Sequence, residues 1–406
     1  LNKKALEGIK ICDFTWAIAG PLITKYLADF GATVVRIEFR SAPGSIRSSP
    51  PYKDGIVDGD RSVFFAYWNP NKYDISIDMN NPAGLEIARK LVAWSDAVVE
   101  NFAAGRMEQW GLEYEKLKEI KRDIIMVRSS NQGQTGPDRG HPGYGTQLSS
   151  LVGYTHLTGF PGGPPLQPWA APTDYIAARF GVAGILSAIM NRRETGKGQY
   201  LDLSQVEANL QFLIPQMLDY TVNHHDTDRN GNACDWAAPH GVYPCRGEDR
   251  WCTITVFTDE EWTAFCTAIG RPALAADARF ATLLDRKKNE AALDEVVREY
   301  TSALAPEEVM AQLQAAGVPA GVVQNSEDLF KDPQLRHRGY FWSQEHSAIG
   351  TVGAFGQAAN LSKTPATMQR PSPCVGEHTQ YVCSEFLHLS DEEFVEYYTA
   401  GAFGFD

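Results

Sequence analysis

The sequence predicts an α/β protein built on a doubly wound parallel sheet, followed by a smaller α+β domain. Three observations carry the prediction. A β-α-β unit lies between Ile9 and Glu38, short apolar strands keep alternating with helices to about residue 203, and the chain turns polar and turn-rich after about residue 222.

The first strand is the apolar run Ile9 to Asp13, and a turn ending in Gly20-Pro21 leads to an apolar-periodic helix reaching Phe30. Pro21 suits a first helical turn, where its missing N–H removes no helical bond, and Gly31 suits the position just past the end. Residues 33–38, Thr-Val-Val-Arg-Ile-Glu, form the second strand. The rhythm continues with a strand from Asp74 to Asp78, a helix from Pro82 to Ser95, a strand from Ala97 to Glu100, a helix from Glu113 to Ile120 and a strand from Ile124 to Ser129. A helix from about Asp174 to Asn191 follows, closed by Thr195-Gly196-Lys197-Gly198, and then a strand from Tyr200 to Leu203. Short strands near Val242 and Ile254 and helices over Glu260–Ile269, Ala291–Leu304 and Pro306–Ala315 define a small domain at 223–330, between a large-domain part at 1–222 and a tail at 331–406. The tail holds short β-type stretches, a Pro-rich segment from Pro365 to Pro373 and an acidic helix from Ser390.

With 406 residues, 43% hydrophobic and 21% charged, the chain can bury one large core and a second smaller one. A formal charge of −13 argues against nucleic acid or an anionic membrane as partner, since both require clustered cations. Seven scattered cysteines without a CxxC pair fit reduced thiols and a cytoplasmic location. The longest apolar runs, such as Phe180 to Met190, are short for a bilayer, and no signal-peptide pattern is present, although the start at Leu1 leaves a trimmed leader open.

Several chemistries lose their usual support. The first strand-to-helix turn, Thr15 to Pro21, carries one glycine where a dinucleotide fingerprint needs three, and there is neither a P-loop nor a Gly-x-Ser-x-Gly elbow. His224, His225, Asp226 and Asp228 lack metal-ligand spacing, so no metal is expected. The glycine-dense stretch Gly133 to Gly145 reads on its own as a surface loop, with close backbone approach to a ligand as the alternative. Asp174, at the start of a helix, reads on its own as a cap whose carboxylate the helix dipole keeps ionised, with a nucleophile as the alternative.

Blocks spread along the chain add to this reading. They include Leu6-Glu7-Gly8-Ile9-Lys10-Ile11-Cys12-Asp13-Phe14, Ala19-Gly20-Pro21, Leu27-Ala28-Asp29-Phe30-Gly31-Ala32, Asn71-Lys72 and Glu100-Asn101-Phe102. Further on come Gly133-Gln134-Thr135-Gly136-Pro137, Pro142-Gly143-Tyr144, Thr195-Gly196-Lys197-Gly198-Gln199 and Gly376-Glu377-His378-Thr379. In these the chain resembles the class III coenzyme A transferases, the formyl-CoA and carnitine CoA-transferase type, and somewhat the branch acting on benzylsuccinate. The resemblance implies a Rossmann-like large domain, a small domain and an interlocked dimer. It also implies CoA transfer between carboxylic acids, with an acyl-CoA such as succinyl-CoA as donor, and no prosthetic group. Asp174 occupies the place of the catalytic aspartate, which forms an anhydride and then an aspartyl-CoA thioester. For binding CoA the resemblance points to Asn71, Lys72, Asn101, Phe102 and Tyr144, with Arg40 and Arg106 as phosphate contacts. Gly145 after the tyrosine, Gln109 where an arginine is common, and Phe39 before Arg40 depart from the family pattern. Two other readings stay open. An α-methylacyl-CoA racemase would need a histidine where Tyr144 stands, with His141 nearby, and a subunit of a heteromeric transferase would replace the homodimer.

Overall fold

The protein is described here by a computed structural model over residues 3–40 and 42–404. Six strands form one parallel sheet: β1 (Lys10–Asp13), β2 (Thr33–Glu38), β3 (Lys72–Ser76), β4 (Ala97–Glu100), β5 (Ile125–Ser130) and β6 (Tyr200–Ser204). Their spatial order is β3-β2-β1-β4-β5-β6, so the winding direction reverses between β1 and β4.

Successive strand side chains point to opposite faces, so strands that are apolar at nearly every position need cover on both sides. Ile11, Val34, Val99, Ile125 and Val127 face one core, beneath the helices Ala19–Asp29 and Pro172–Thr195. Cys12, Val35, Val98 and Met126 face the other, beneath the helices Pro82–Trp94 and Tyr114–Ile120. This is the doubly wound arrangement that the alternating sequence predicts.

Two boundaries differ from expectation with consequences for function. The third strand begins at Lys72 rather than Asp74, and Lys72 pairs with Val34, which draws the lysine into the sheet. The long helix begins at Pro172, whose fixed φ suits the first helical turn. Ala171 is therefore the N-cap and Asp174 lies inside the first turn, so the expected cap role does not hold. Gly196 ends this helix at φ 70°, a left-handed position that glycine adopts without strain. By length and composition the helix could cross a bilayer, but half of its most apolar window is buried inside the protein, as in a core helix.

The chain divides into two compact units. The first runs to Tyr154, resumes over Gln167–Asp226 and takes in the chain from Gln334. Its last part is bonded to the sheet: Gly376 N donates to Asp74 Oδ1 (2.7 Å), His378 N to Asp74 O (2.9 Å) and Arg47 Nη2 to Pro373 O (3.0 Å). The second unit comprises Thr155–Leu166 and Thr227–Pro333, so residues 155–166 leave the large-domain segment in which the sequence reading placed them. Gly231 N bonds Gly159 O at 2.9 Å, fastening this segment within the unit. There the antiparallel strands β7 (His240–Pro244), β8 (Trp251–Thr255) and β9 (Ala320–Val322) share a core with Trp262, Phe265, Val297 and Leu313. In the first unit β10 (Phe341–His346) and β11 (Gly350–Phe355) form an antiparallel pair.

Candidate active site

In open parallel sheets, ligands lie beyond the carboxyl ends of the strands, where the strand order reverses. A cavity of about 250 Å³ lies at that place, lined by Trp16 after β1, Asn101 and Phe102 after β4, Ser130 at the end of β5 and Gln205 after β6. The Asn101 side chain ties the two loops at the reversal together. Its Oδ1 accepts from Trp16 N (2.6 Å) and its Nδ2 donates to Trp16 O (2.9 Å). Gly20 is required beside this clasp, since a Cβ there would lie 2.4 Å from Thr15 Cβ and 2.8 Å from Asn101 Cγ.

Asp174 enters the same cavity from the first turn of the helix Pro172–Thr195 and, among the described residues, is the only carboxylate lining it. Its backbone neighbours are fixed: Thr173 Oγ1 donates to Gly145 O (2.9 Å) and Asn209 Nδ2 to Thr173 O (3.1 Å). Asp174 is 8% exposed, and among the described residues its carboxylate has no hydrogen-bond or ion-pair partner. Burial pushes its pKa up to about 7, and no neighbouring cation draws it down. The ionised cap expected from sequence is thus replaced by a desolvated, unpaired carboxyl near half ionisation at neutral pH. Ser130 Oγ and Gln205 Oε1, on residues each 4% exposed, are buried and have no partner among the described residues.

Phe102 stands with Trp16 as a wall between this cavity and a second of about 240 Å³. Its ring meets Trp16 edge-on at 5.7 Å and Trp110 at 5.5 Å. The second cavity is lined by Phe39, Met79, Arg106 and Trp110, with the Arg106 guanidinium over the Trp110 ring at 5.7 Å. Tyr144 lines the Asp174 cavity and is 62% exposed. Arg40 is exposed and lines neither cavity.

Asn71 and Lys72 take other places. Lys72 is fully buried and its three ammonium protons are all engaged, by Asp13 Oδ2 (3.1 Å), Pro21 O (3.0 Å) and Asn69 Oδ1 (2.9 Å). Asn71 donates to Asp29 Oδ1 (2.8 Å) and Thr367 O (3.0 Å), and accepts from Gln369 N (2.7 Å) and Arg370 N (3.1 Å). With these atoms engaged inside the fold, neither side chain is offered to a phosphate. The sequence reading, for its part, did not single out Trp16, Ser130, Arg139 or Gln205. Their signal was position, directly after or at the end of a parallel strand for three of them. The glycine-dense loop divides: Gly133, Thr135 and Gly136 line a separate hollow with Asp202 and Glu207, whereas Arg139, His141 and Gly143 line the Asp174 cavity.

A model of CoA-transferase family III matches residues 6–379. The succinyl-CoA–D-citramalate CoA-transferase of Chloroflexus aurantiacus is 30% identical over 390 residues, 96% of each chain. The human succinyl-CoA:glutarate CoA-transferase is 29% identical over 401 residues, covering 98% of this chain and 90% of that one. Among solved structures, a CaiB/BaiF family protein from Brucella suis superposes with a TM-score of 0.88 at 30% identity, covering 95% of this chain and all of that one. The chain belongs to CoA-transferase family III and is an enzyme of CoA transfer, acting on CoA thioesters as substrates.

Proposed function

We propose that the chain moves CoA from succinyl-CoA to a second dicarboxylic acid, with Asp174 as the nucleophile. The observation that carries this reading is the desolvated Asp174 carboxylate, unpaired among the described residues, at the cavity beyond the sheet reversal. The Asp174 carboxylate attacks the thioester carbonyl carbon, the C–S bond breaks, and a mixed anhydride and CoA thiolate result. The thiolate attacks the Asp174 acyl carbon, releasing succinate and leaving an aspartyl-CoA thioester. The acceptor carboxylate attacks that thioester to form the second anhydride, and the thiolate then takes the acceptor's acyl carbon and frees Asp174. Each tetrahedral intermediate places negative charge on oxygen, and the Ser130 hydroxyl on the cavity wall, unpartnered among the described residues, is a donor with capacity to meet it.

The names of the relatives, citramalate and glutarate transferases, support dicarboxylic acceptors for this chain. Benzylsuccinate, to which the sequence pointed, is also a dicarboxylic acid. CoA would lie with its thioester at Asp174, passing Asn101 and Tyr144, its far end near Phe102, Trp110 and Arg106. Arg40, which lines neither cavity, would act on a phosphate outside both. The helix Ile214–Asn223 buries none of its residues and leaves Met217, Leu218 and Tyr220 about half exposed, which supports the dimer expected from the family. In this reading the first unit is the CoA-binding domain, returning after the small one.

The test is to mix the protein with succinyl-CoA, trap with hydroxylamine and map the labelled peptide. A hydroxamate at Asp174, absent from Asp174→Ala together with turnover, is expected, and label elsewhere or turnover surviving in that variant sinks the reading. A second reading, α-proton exchange of the racemase kind, has one observation in its favour: His141 lines the same cavity. Deuterium entering the α-position of an acyl-CoA from heavy water, without transfer, would establish it instead.

A further inference from the structure

The charges that face the Asp174 cavity are few. Among the described residues its walls carry one carboxylate, Asp174, and one guanidinium, Arg139, with the His141 imidazole as the other basic side chain. Arg139 is exposed, and among the described residues its guanidinium makes no hydrogen bond, ion pair or ring contact. In a chain with 50 acidic and 37 basic residues, carboxylates to pair with are abundant. Arg47, Arg128, Arg192 and Arg250 are each so engaged. Asp174 does not use the charge of Arg139 either, because burial alone sets its titration.

The segment that carries Arg139 is anchored against the sheet. Asn131, next after β5, donates from Nδ2 to Gly143 O (3.1 Å) and His141 O (3.4 Å), and His141 N closes a turn on Asp138 O (2.9 Å). The loop is thus tied down over the end of β5, on the wall of the cavity into which Asp174 projects. The cavity therefore offers a nucleophile for one carboxyl-level carbon and a separate uncompensated cation.

We propose that Arg139 receives the distal carboxylate of a dicarboxylic acyl group while its other carboxyl carbon reacts at Asp174, making the site selective for diacids over monoacids of equal length. The proposal rests on the reading of Asp174 as nucleophile and names the residue that would set the substrate class. A guanidinium presents paired N–H donors that match the two oxygens of a carboxylate, a geometry that an ammonium does not reproduce. The other anion at hand is a phosphate of CoA. The thioester end of the molecule must lie at Asp174, however, with the phosphates at the opposite end of the pantetheine arm. The carboxylate of the acyl group is therefore the anion assigned to Arg139.

Succinyl-CoA and butyryl-CoA have acyl groups of four carbons and differ in the distal carboxylate, so they form the test. Hydroxylamine labelling of Asp174 and kcat/KM are measured for both donors in the wild type, Arg139→Gln and Arg139→Lys. The wild type is expected to prefer succinyl-CoA, and Arg139→Gln to reduce the succinyl-to-butyryl ratio of kcat/KM roughly 10- to 100-fold, the range of a charge-assisted hydrogen bond. Arg139→Lys is expected to restore part of the ratio. An equal fall with both donors would assign Arg139 to a phosphate or to loop structure and overturn the proposal, as would an unchanged ratio or no preference in the wild type. Labelling of Asp174 by neither donor in the wild type would overturn the nucleophile reading, and this proposal with it.

Discussion

Asp13 and Asp174 are both buried aspartates of the first unit, and they have opposite electrostatic fates. Asp13 accepts from Thr15 N (2.8 Å), Thr15 Oγ1 (2.5 Å), Thr24 Oγ1 (2.5 Å) and Lys72 Nζ (3.1 Å). Burial acts to raise its carboxyl, but Lys72, Arg36 and the two hydroxyls outweigh it and hold the pKa below the ordinary value. Asp174 has the burial without the partners, and its pKa rises to about 7. Burial alone therefore does not mark a reactive carboxylate. What separates the two is whether the fold supplies donors, and around Asp174 it leaves that capacity for a substrate.

The comparison breaks most visibly at Lys72. Lys72→Ala leaves Asp13 as a buried carboxylate without its closest cation, and loss of one partner of a buried pair costs about 3–5 kcal/mol. Urea unfolding should show this loss, with little change in KM for acyl-CoA in the protein that remains folded. An unshifted urea midpoint combined with a large rise in KM would return Lys72 to the role of a phosphate contact.

A second way to sharpen the comparison is through pH, where the two aspartates act with opposite sign. Below the unfolded value near 3.8, Asp174 is protonated in both states and contributes nothing. Between there and about pH 7 the unfolded state is ionised while the folded state keeps its proton, so stability falls as pH rises. The full penalty, at most about 4 kcal/mol from a shift of about three pH units, is present above pH 7. Asp174→Asn should accordingly be more stable than wild type at pH 8, and the gain should vanish at pH 4. The lowered pKa of Asp13 works the other way, supplying stability above its unfolded value that is lost as pH falls through its folded value. Wild-type turnover should rise through pH 7, as Asp174 ionises. A stability gain in Asp174→Asn that is equal at both pH values would show that Asp174 is not held protonated by burial.

Much of this was legible in the sequence because the signals are local. Strands apolar on both faces, a helix near Asp174 and Gly196 closing it can all be read within a short window, although the helix opens at Pro172, two residues earlier than read. The place of Asp174 was legible through resemblance, but its lack of partners was not, because that depends on what the Gly145 and Asn209 segments bring beside it. The burial of Lys72 was hidden for the same reason. A lysine is ordinarily a surface residue, and its partner Asp13 lies 59 positions away in the chain. Ser130 and Gln205 come to line one cavity because β5 and β6 are neighbours in the sheet. Sequence spacing cannot show that, although the ends of parallel strands can be examined as a class.

The smallest expected effect tests how closely the fold crowds Asp174 while leaving it unpaired. A Cβ at Gly145 would lie 2.5 Å from Ala171 Cβ and 2.7 Å from Asp174 Oδ2, so the glycine is required by contact on both sides of the helix start. The departure of Gly145 from the family pattern is thus coupled to the position of Asp174. Gly145→Ala must displace either the helix start or the carboxylate, and overpacking of this kind costs about 1–3 kcal/mol. Turnover should suffer more than stability, since a misplacement of roughly 1 Å can cost about 100-fold in rate. Gly353→Ala, where an added Cβ meets nothing within 4 Å, serves as the control for both readouts. If Gly145→Ala turns over as fast as that control, Asp174 has room to move, and its pKa rather than its placement is what the surrounding fold controls.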